Sequence, residues 1–251
     1  MRRASVLVLL AAALGACGGG DEEFPSKPRV QMLGNGPDRV WVFTPAGEPK
    51  SLVIYLHGQG GPVEATPVNH RPWIDHLVDR GNVVVYPRYE VRVERNPMVH
   101  LLNGVQTAVK RHDLDRLPVL AIGYSRGGAL AIEYAAIARI EELPVPDAIM
   151  SVFPASRGEV DTEIDFTPLE SDTILLLLVG DRDDVVREDG ARLLLGRLQA
   201  GGFPPGQILW RSVRSTGTFV ADHFAPLQTT PAARAAFWQP ADRLIGEIRK
   251  G

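Results

Sequence analysis

The clearest chemistry in the sequence lies in Gly123-Tyr124-Ser125-Arg126-Gly127, a serine with a glycine two residues away on each side. A serine hydroxyl is a weak nucleophile until a base takes its proton, so it needs a base and an orienting acid from elsewhere in the chain. Its setting favours that use. Val119-Leu120-Ala121-Ile122 follows Pro118 and reads as a short buried strand. Ala129 to Ile137 has no internal Gly or Pro and reads as a helix. A turn this tight between strand and helix forces the serine backbone into an unfavourable conformation, at a cost of about 1–3 kcal/mol. Neighbouring side chains would clash across the turn, and Gly123 and Gly127 avoid that. Gly128 and Ala129 let the helix lie close to the sheet, with its N-terminal N–H groups aimed at the serine.

This strand-turn-helix resembles the nucleophile elbow of the α/β-hydrolase family of serine hydrolases. The resemblance implies further parts in a fixed order. Ser51 to Leu56 reads as a strand and runs into His57-Gly58-Gln59-Gly60-Gly61-Pro62, which resembles the family's His-Gly loop. Mapped onto this chain, the oxyanion donors would be the backbone N–H of Gln59 or Gly60 together with that of Arg126. The family's acid sits after a later strand, often as Gly-x-x-Asp-x-x-Val. Here that register selects Asp183, between Gly180 and Val186, with Asp181 and Asp184 as competitors. The base comes last in the family's order, and His223 is the only histidine beyond Asp183. Asp222 beside it reads as a loop or capping residue. Tyr89 follows the strand Val83 to Tyr86, where it could line the pocket or be a surface loop residue; Tyr124 is a second pocket candidate.

The elements that must position these residues alternate between strand and helix. Strands are expected at 39–43, 51–56, 83–86, 119–122, 147–153, 173–179 and 207–213, with a weaker one at 30–33. Helices are expected at 72–79, 98–110, 129–137, 191–200 and 232–249. The alternation argues for a mostly parallel, doubly wound sheet flanked by helices. The stretch 154–171 occupies the family's cap position but is too short for a large cap domain. Glu159, Asp161, Glu163, Asp165 and Glu170, with Arg157, make it read as a solvated loop; the sharper reading is an acidic rim that disfavours anionic substrates.

The chain has 251 residues, long enough for one large α/β domain, expected over 29–251. Its 27 basic and 30 acidic residues are well mixed and net to −3, which argues against a nucleic-acid partner. No G-x-G-x-x-G follows a strand, so no nucleotide cofactor is implied, and the histidines show no metal-ligand spacing. The first 16 residues pair a basic start with an apolar run too short to span a membrane and read as a signal peptide. Leu14-Gly15-Ala16-Cys17 resembles the bacterial lipobox, which implies lipidation at Cys17, a flexible tether over 17–28, and an exported domain held at a bacterial membrane by that anchor alone. The single cysteine allows no intrachain disulfide.

Together these residues imply a cofactor-free serine hydrolase of the carboxylesterase type, acting on a small acyl substrate through an acyl-enzyme. Two alternatives stand beside it. Gly-Tyr-Ser-Arg-Gly-Gly also resembles the elbow of prolyl-oligopeptidase-like peptidases, although the chain has no room for their propeller. The other is a non-catalytic surface binding protein on a hydrolase scaffold.

Overall fold

The computed structural model describes residues 25–60, 63–89, 97–155 and 165–250. The signal segment, Cys17, the tether up to residue 24, Gly61, Pro62, Arg157, Glu159, Asp161 and Glu163 lie outside these residues.

Eight strands form one sheet: β1 (Arg29–Leu33), β2 (Val40–Thr44), β3 (Ser51–Leu56), β4 (Asn82–Pro87), β5 (Val119–Tyr124), β6 (Ala148–Val152), β7 (Ile174–Gly180) and β8 (Ile208–Val213). Their spatial order is β1-β2-β4-β3-β5-β6-β7-β8. β1 pairs antiparallel with β2, and β2 with β4; all other pairs are parallel. The helices are α1 (Arg71–Asp79), α2 (Pro97–His112), α3 (Arg126–Ala138), α4 (Asp189–Ala200), α5 (Pro231–Ala233) and α6 (Gln239–Ile248).

The strands β3 to β7 are buried on both faces, and strand alternation divides the core in two. Leu52, Ile54 and Leu56 of β3 point to one side, into a core with residues of α2, α3 and α4. Val53 and Tyr55 point to the other, toward α1 and the closing helices. On α1 the buried face is Trp73, Ile74, Leu77 and Val78, the stripe expected from a 3.6-residue period. β6 and β7 are joined by residues 153–173, too short a connection for a large cap domain. Among the described residues no helix is long and apolar enough to cross a membrane.

The end of the chain departs from expectation. The sequence reads as one helix from Ala232 to Arg249, but the backbone opens into a π turn over Arg234–Trp238 between α5 and α6. The turn buries Ala236, Phe237 and Trp238 against the core, and the Arg234 guanidinium sits 4.5 Å over the Trp238 ring on its outer side.

Candidate active site

Ser125 sits between the end of β5 and the start of α3, with φ 54° and ψ −122°. This is a strained conformation for a side chain with a Cβ, and the surroundings hold it in place. Its N–H donates to Val152 O of the neighbouring strand at 2.9 Å, and its carbonyl accepts from Gly128 and Ala155 at 2.8 and 2.9 Å. The flanking glycines are fixed by close approach. A Cβ on Gly123 would lie 1.9 Å from Gly127 O, and one on Gly127 would lie 2.4 Å from Leu56 O.

His223 reaches this serine from a loop after β8. Its Nε2 is 2.9 Å from Ser125 Oγ, and its Nδ1 is 2.9 Å from Asp183 Oδ2. An ionised carboxylate only accepts, so Nδ1 carries the proton and Nε2 is left to accept from the serine hydroxyl. Asp183 follows β7, and its other oxygen accepts from the N–H groups of Val185 and Val186 at 2.9 and 3.1 Å. Burial pushes the Asp183 carboxyl up, but the His223 bond and the two backbone donors outweigh it and hold the group below the usual carboxylate range. The structure thereby separates the three competing aspartates. Asp181 is bound to the N–H and hydroxyl of Ser215, and Asp184 is exposed. Asp222 accepts from Phe224 N at 3.1 Å, a local turn contact.

Beside Ser125 is a cavity of about 430 Å³, whose lining includes Gln59, Gly60, Tyr124, Arg126, His223 and Phe224. Among the described residues no backbone hydrogen bond takes up the N–H of Gln59 or Gly60. The residues expected as oxyanion donors therefore border the same space as the serine. A nucleophile, a base held in the correct tautomer and backbone donors around one cavity can together perform acyl transfer.

No protein-family model matches the chain, and no curated protein does. Solved structures do match along nearly the whole length. Esterase B from Lactobacillus rhamnosis superposes with a TM-score of 0.63 at 16% identity, covering 92% of this chain and 89% of that one. Carboxyl esterase 2 from the mycorrhizal fungus Tuber melanosporum gives 0.63 at 18% identity, over 94% and 89%. An esterase from the bacterial hormone-sensitive lipase family gives 0.59 at 20% identity, over 92% and 87%. The chain has the α/β-hydrolase fold.

Within this α/β-hydrolase fold, two tyrosines divide the roles expected of them. Tyr124 lines the cavity, and its hydroxyl donates to His223 O at 2.8 Å, so it also ties the histidine loop to the elbow. Tyr89 is neither a pocket wall nor a surface residue. It is fully buried at φ 22°, its ring stacks on His57 at 4.1 Å, and its hydroxyl donates to His57 O. It acts as a clamp behind the loop expected to bear the oxyanion donors. His57 is buried with it, and its ring nitrogens lie 2.7 Å from Gly58 O and Arg88 O. Burial pulls its pKa down to about 4 despite those two acceptors, so the ring is neutral and donates to one of them.

Glu64 and His70 carry no role in the sequence reading. Glu64 lines the cavity, His70 is buried at the N-terminus of α1, and His70 Nε2 lies 3.1 Å from Glu64 Oε2. On the far side His70 Nδ1 faces Tyr55 Oη at 3.1 Å. No motif marks this group, because a loop glutamate and a helix-start histidine have no telling spacing. The signal available was an acidic residue shortly after a glycine-rich loop, which by itself does not mark a site. The Arg126 side chain is also buried, with Nη1 3.7 Å from Glu133 Oε1 two turns along α3, so its charge is opposed inside the helix packing.

Proposed function

We propose that the protein is a serine carboxylesterase acting through an acyl-enzyme on Ser125. The observation that carries this reading is the continuous chain Asp183–His223–Ser125 at 2.9 Å per link, opening onto a cavity. In the first step Ser125 Oγ attacks the ester carbonyl while His223 Nε2 takes its proton. Asp183 holds the ring in position and stabilises the imidazolium that forms. The developing oxyanion is received by backbone N–H groups of Gln59 or Gly60 and of Arg126. His223 then returns the proton to the departing alcohol, and a water activated by the same nitrogen releases the acid. The esterases among the solved structures of this fold support an ester as the scissile group.

The test is turnover of p-nitrophenyl esters beside peptide p-nitroanilides, with wild type and Ser125→Ala. Wild type is expected to cleave the esters and leave the anilides nearly untouched. Loss of Ser125 is expected to lower ester kcat by on the order of 10⁴-fold or more. Faster anilide turnover would make the protein a peptidase or amidase instead; ester turnover retained by Ser125→Ala would remove the serine from the reaction.

For placement, we propose that Cys17 is acylated and tethers the exported domain to a bacterial membrane. On expression in a bacterial host, Cys17→Ala is expected to shift the protein from the membrane to the soluble fraction, and unchanged partitioning would contradict it.

A further inference from the structure

The cavity beside Ser125 carries a charge that the proposed hydrolytic chemistry does not use. Among its described lining residues Glu64 is the only carboxylate. Its side chain keeps 13% of its exposure, whereas the His70 behind it keeps 1%. Each carboxylate oxygen has one donor: Asn69 Nδ2 lies 2.6 Å from Oε1, and His70 Nε2 lies 3.1 Å from Oε2. A carboxylate accepts about four hydrogen bonds, so acceptor capacity remains after these two. Among the described residues no Lys or Arg forms an ion pair with Glu64.

Partial burial of a carboxylate is costly, and without hydrogen-bonding partners the usual outcome is protonation. Here burial does push the Glu64 carboxyl up. The hydrogen bond and charge of His70 and the bond from Asn69 outweigh it and hold the group below its ordinary value. The carboxylate therefore faces the cavity ionised. Its stem also packs closely on Gly60: a Cβ there would lie 2.2 Å from Glu64 Cγ. Gly60 thus leaves room for Glu64 against the very loop expected to receive the oxyanion. The rings of Tyr124 and Phe224 line the same cavity, and aromatic faces attract cations.

We propose that Glu64 sets the specificity of this cavity and that the substrate is an ester bearing an alkylammonium group seated against its carboxylate. This rests on the esterase reading, because it names the class of ester. An anionic group in the same position would meet a like charge and be excluded.

The test uses isosteric ester pairs that differ in one charge. Choline acetate beside 3,3-dimethylbutyl acetate places the charge in the alcohol; ethyl 4-(trimethylammonio)butanoate beside ethyl 5,5-dimethylhexanoate places it in the acyl part, far enough from the carbonyl to leave its reactivity nearly unchanged. In wild type, kcat/KM for the cationic member of at least one pair is expected to exceed that of its neutral partner by about tenfold. Glu64→Gln keeps the shape and removes the charge, and it is expected to bring that ratio close to one. A structural role alone would lower both members together and leave the ratio where it was. Addition of about 0.5 M NaCl to wild type is expected to shrink the ratio without any variant, since salt screens a partly exposed pair. Equal kcat/KM within both pairs in wild type, or an unchanged ratio in folded Glu64→Gln, would overturn the proposal. Binding of the same esters to Ser125→Ala protein, measured by calorimetry, separates the two readings. Cation-selective binding without turnover by wild type would remove the esterase and leave the cation site. Turnover without selectivity would do the reverse.

Discussion

Two histidine–carboxylate pairs border one cavity, and they face it in opposite senses. In the first, Asp183 is fully buried, His223 stands in front of it, and the far nitrogen of His223 meets Ser125 Oγ. In the second, Glu64 itself lines the cavity, His70 stands behind it, and the far nitrogen of His70 meets the buried Tyr55 hydroxyl. The distances are similar, 2.9 Å and 3.1 Å, and both carboxyls are held below their ordinary values. What differs is which group the protein presents. On the proposed readings, the histidine in front would deliver a proton acceptor to Ser125, and the carboxylate in front would deliver a charge to a substrate. The two pairs thus differ in the partner of the second ring nitrogen, Ser125 Oγ for His223 and Tyr55 Oη for His70, and that difference is what the proposed roles rest on.

The largest effect that tests this comparison is on the first pair. Asp183→Asn keeps the shape but favours the wrong tautomer of His223, and kcat is expected to fall on the order of 10³- to 10⁴-fold. Asp181→Asn, which breaks only loop contacts to Ser215, is expected to change kcat by less than about threefold. Equal losses in the two variants would contradict the assignment of the acid.

A third buried histidine, His57, sharpens the contrast because its ring nitrogens meet carbonyl oxygens and no carboxylate. The unfolded ring takes up a proton near its ordinary value of about 6.5 and the folded ring only near 4. Its contribution to stability is therefore fully present above about pH 6.5 and is lost as the pH falls toward 4, by on the order of 3 kcal/mol. Denaturant unfolding of wild type and His57→Asn at pH 7, 5.5 and 4 reads this directly. The gap between them is expected to close as the pH falls, and a constant gap would contradict a neutral buried ring.

The smallest effect falls on the second pair. His70→Phe keeps the ring volume but leaves the Tyr55 hydroxyl and one Glu64 oxygen without their partner. It is expected to lower stability by about 1–3 kcal/mol in denaturant unfolding. Its turnover of a neutral ester is expected to fall far less than that of Asp183→Asn. A loss as large as that of Asp183→Asn would place His70 in the proton path and erase the distinction between the pairs.

How much of this was legible in the sequence follows the range of the interactions involved. The strands and their mostly parallel pairing were legible because apolar runs and strand–helix alternation are local patterns, whereas the spatial order of the strands is set by long-range pairing. The elbow was legible because Gly123, Ser125 and Gly127 satisfy a steric demand within five residues. Asp183 and His223 were legible only through the order the resemblance implies, since 40 residues separate them and nothing local joins them. Tyr89, open between a pocket wall and a surface loop in the sequence, takes neither place because its position depends on stacking against His57 beyond the end of the neighbouring strand. The arginine at position 126 had no account until α3 brought its guanidinium to Glu133. The Glu64–His70 pair was invisible for the same reason: its meaning lies in which member faces the cavity, and that is set by tertiary packing.

The central claim is that Ser125 is an activated nucleophile, and reaction with a fluorophosphonate probe tests it most directly. Intact-mass and peptide mapping of the treated wild type are expected to show one adduct, on the peptide containing Ser125. The adduct is expected to vanish in folded Ser125→Ala. Correctly folded wild type that takes up no probe, or takes it up on another residue, would contradict the claim.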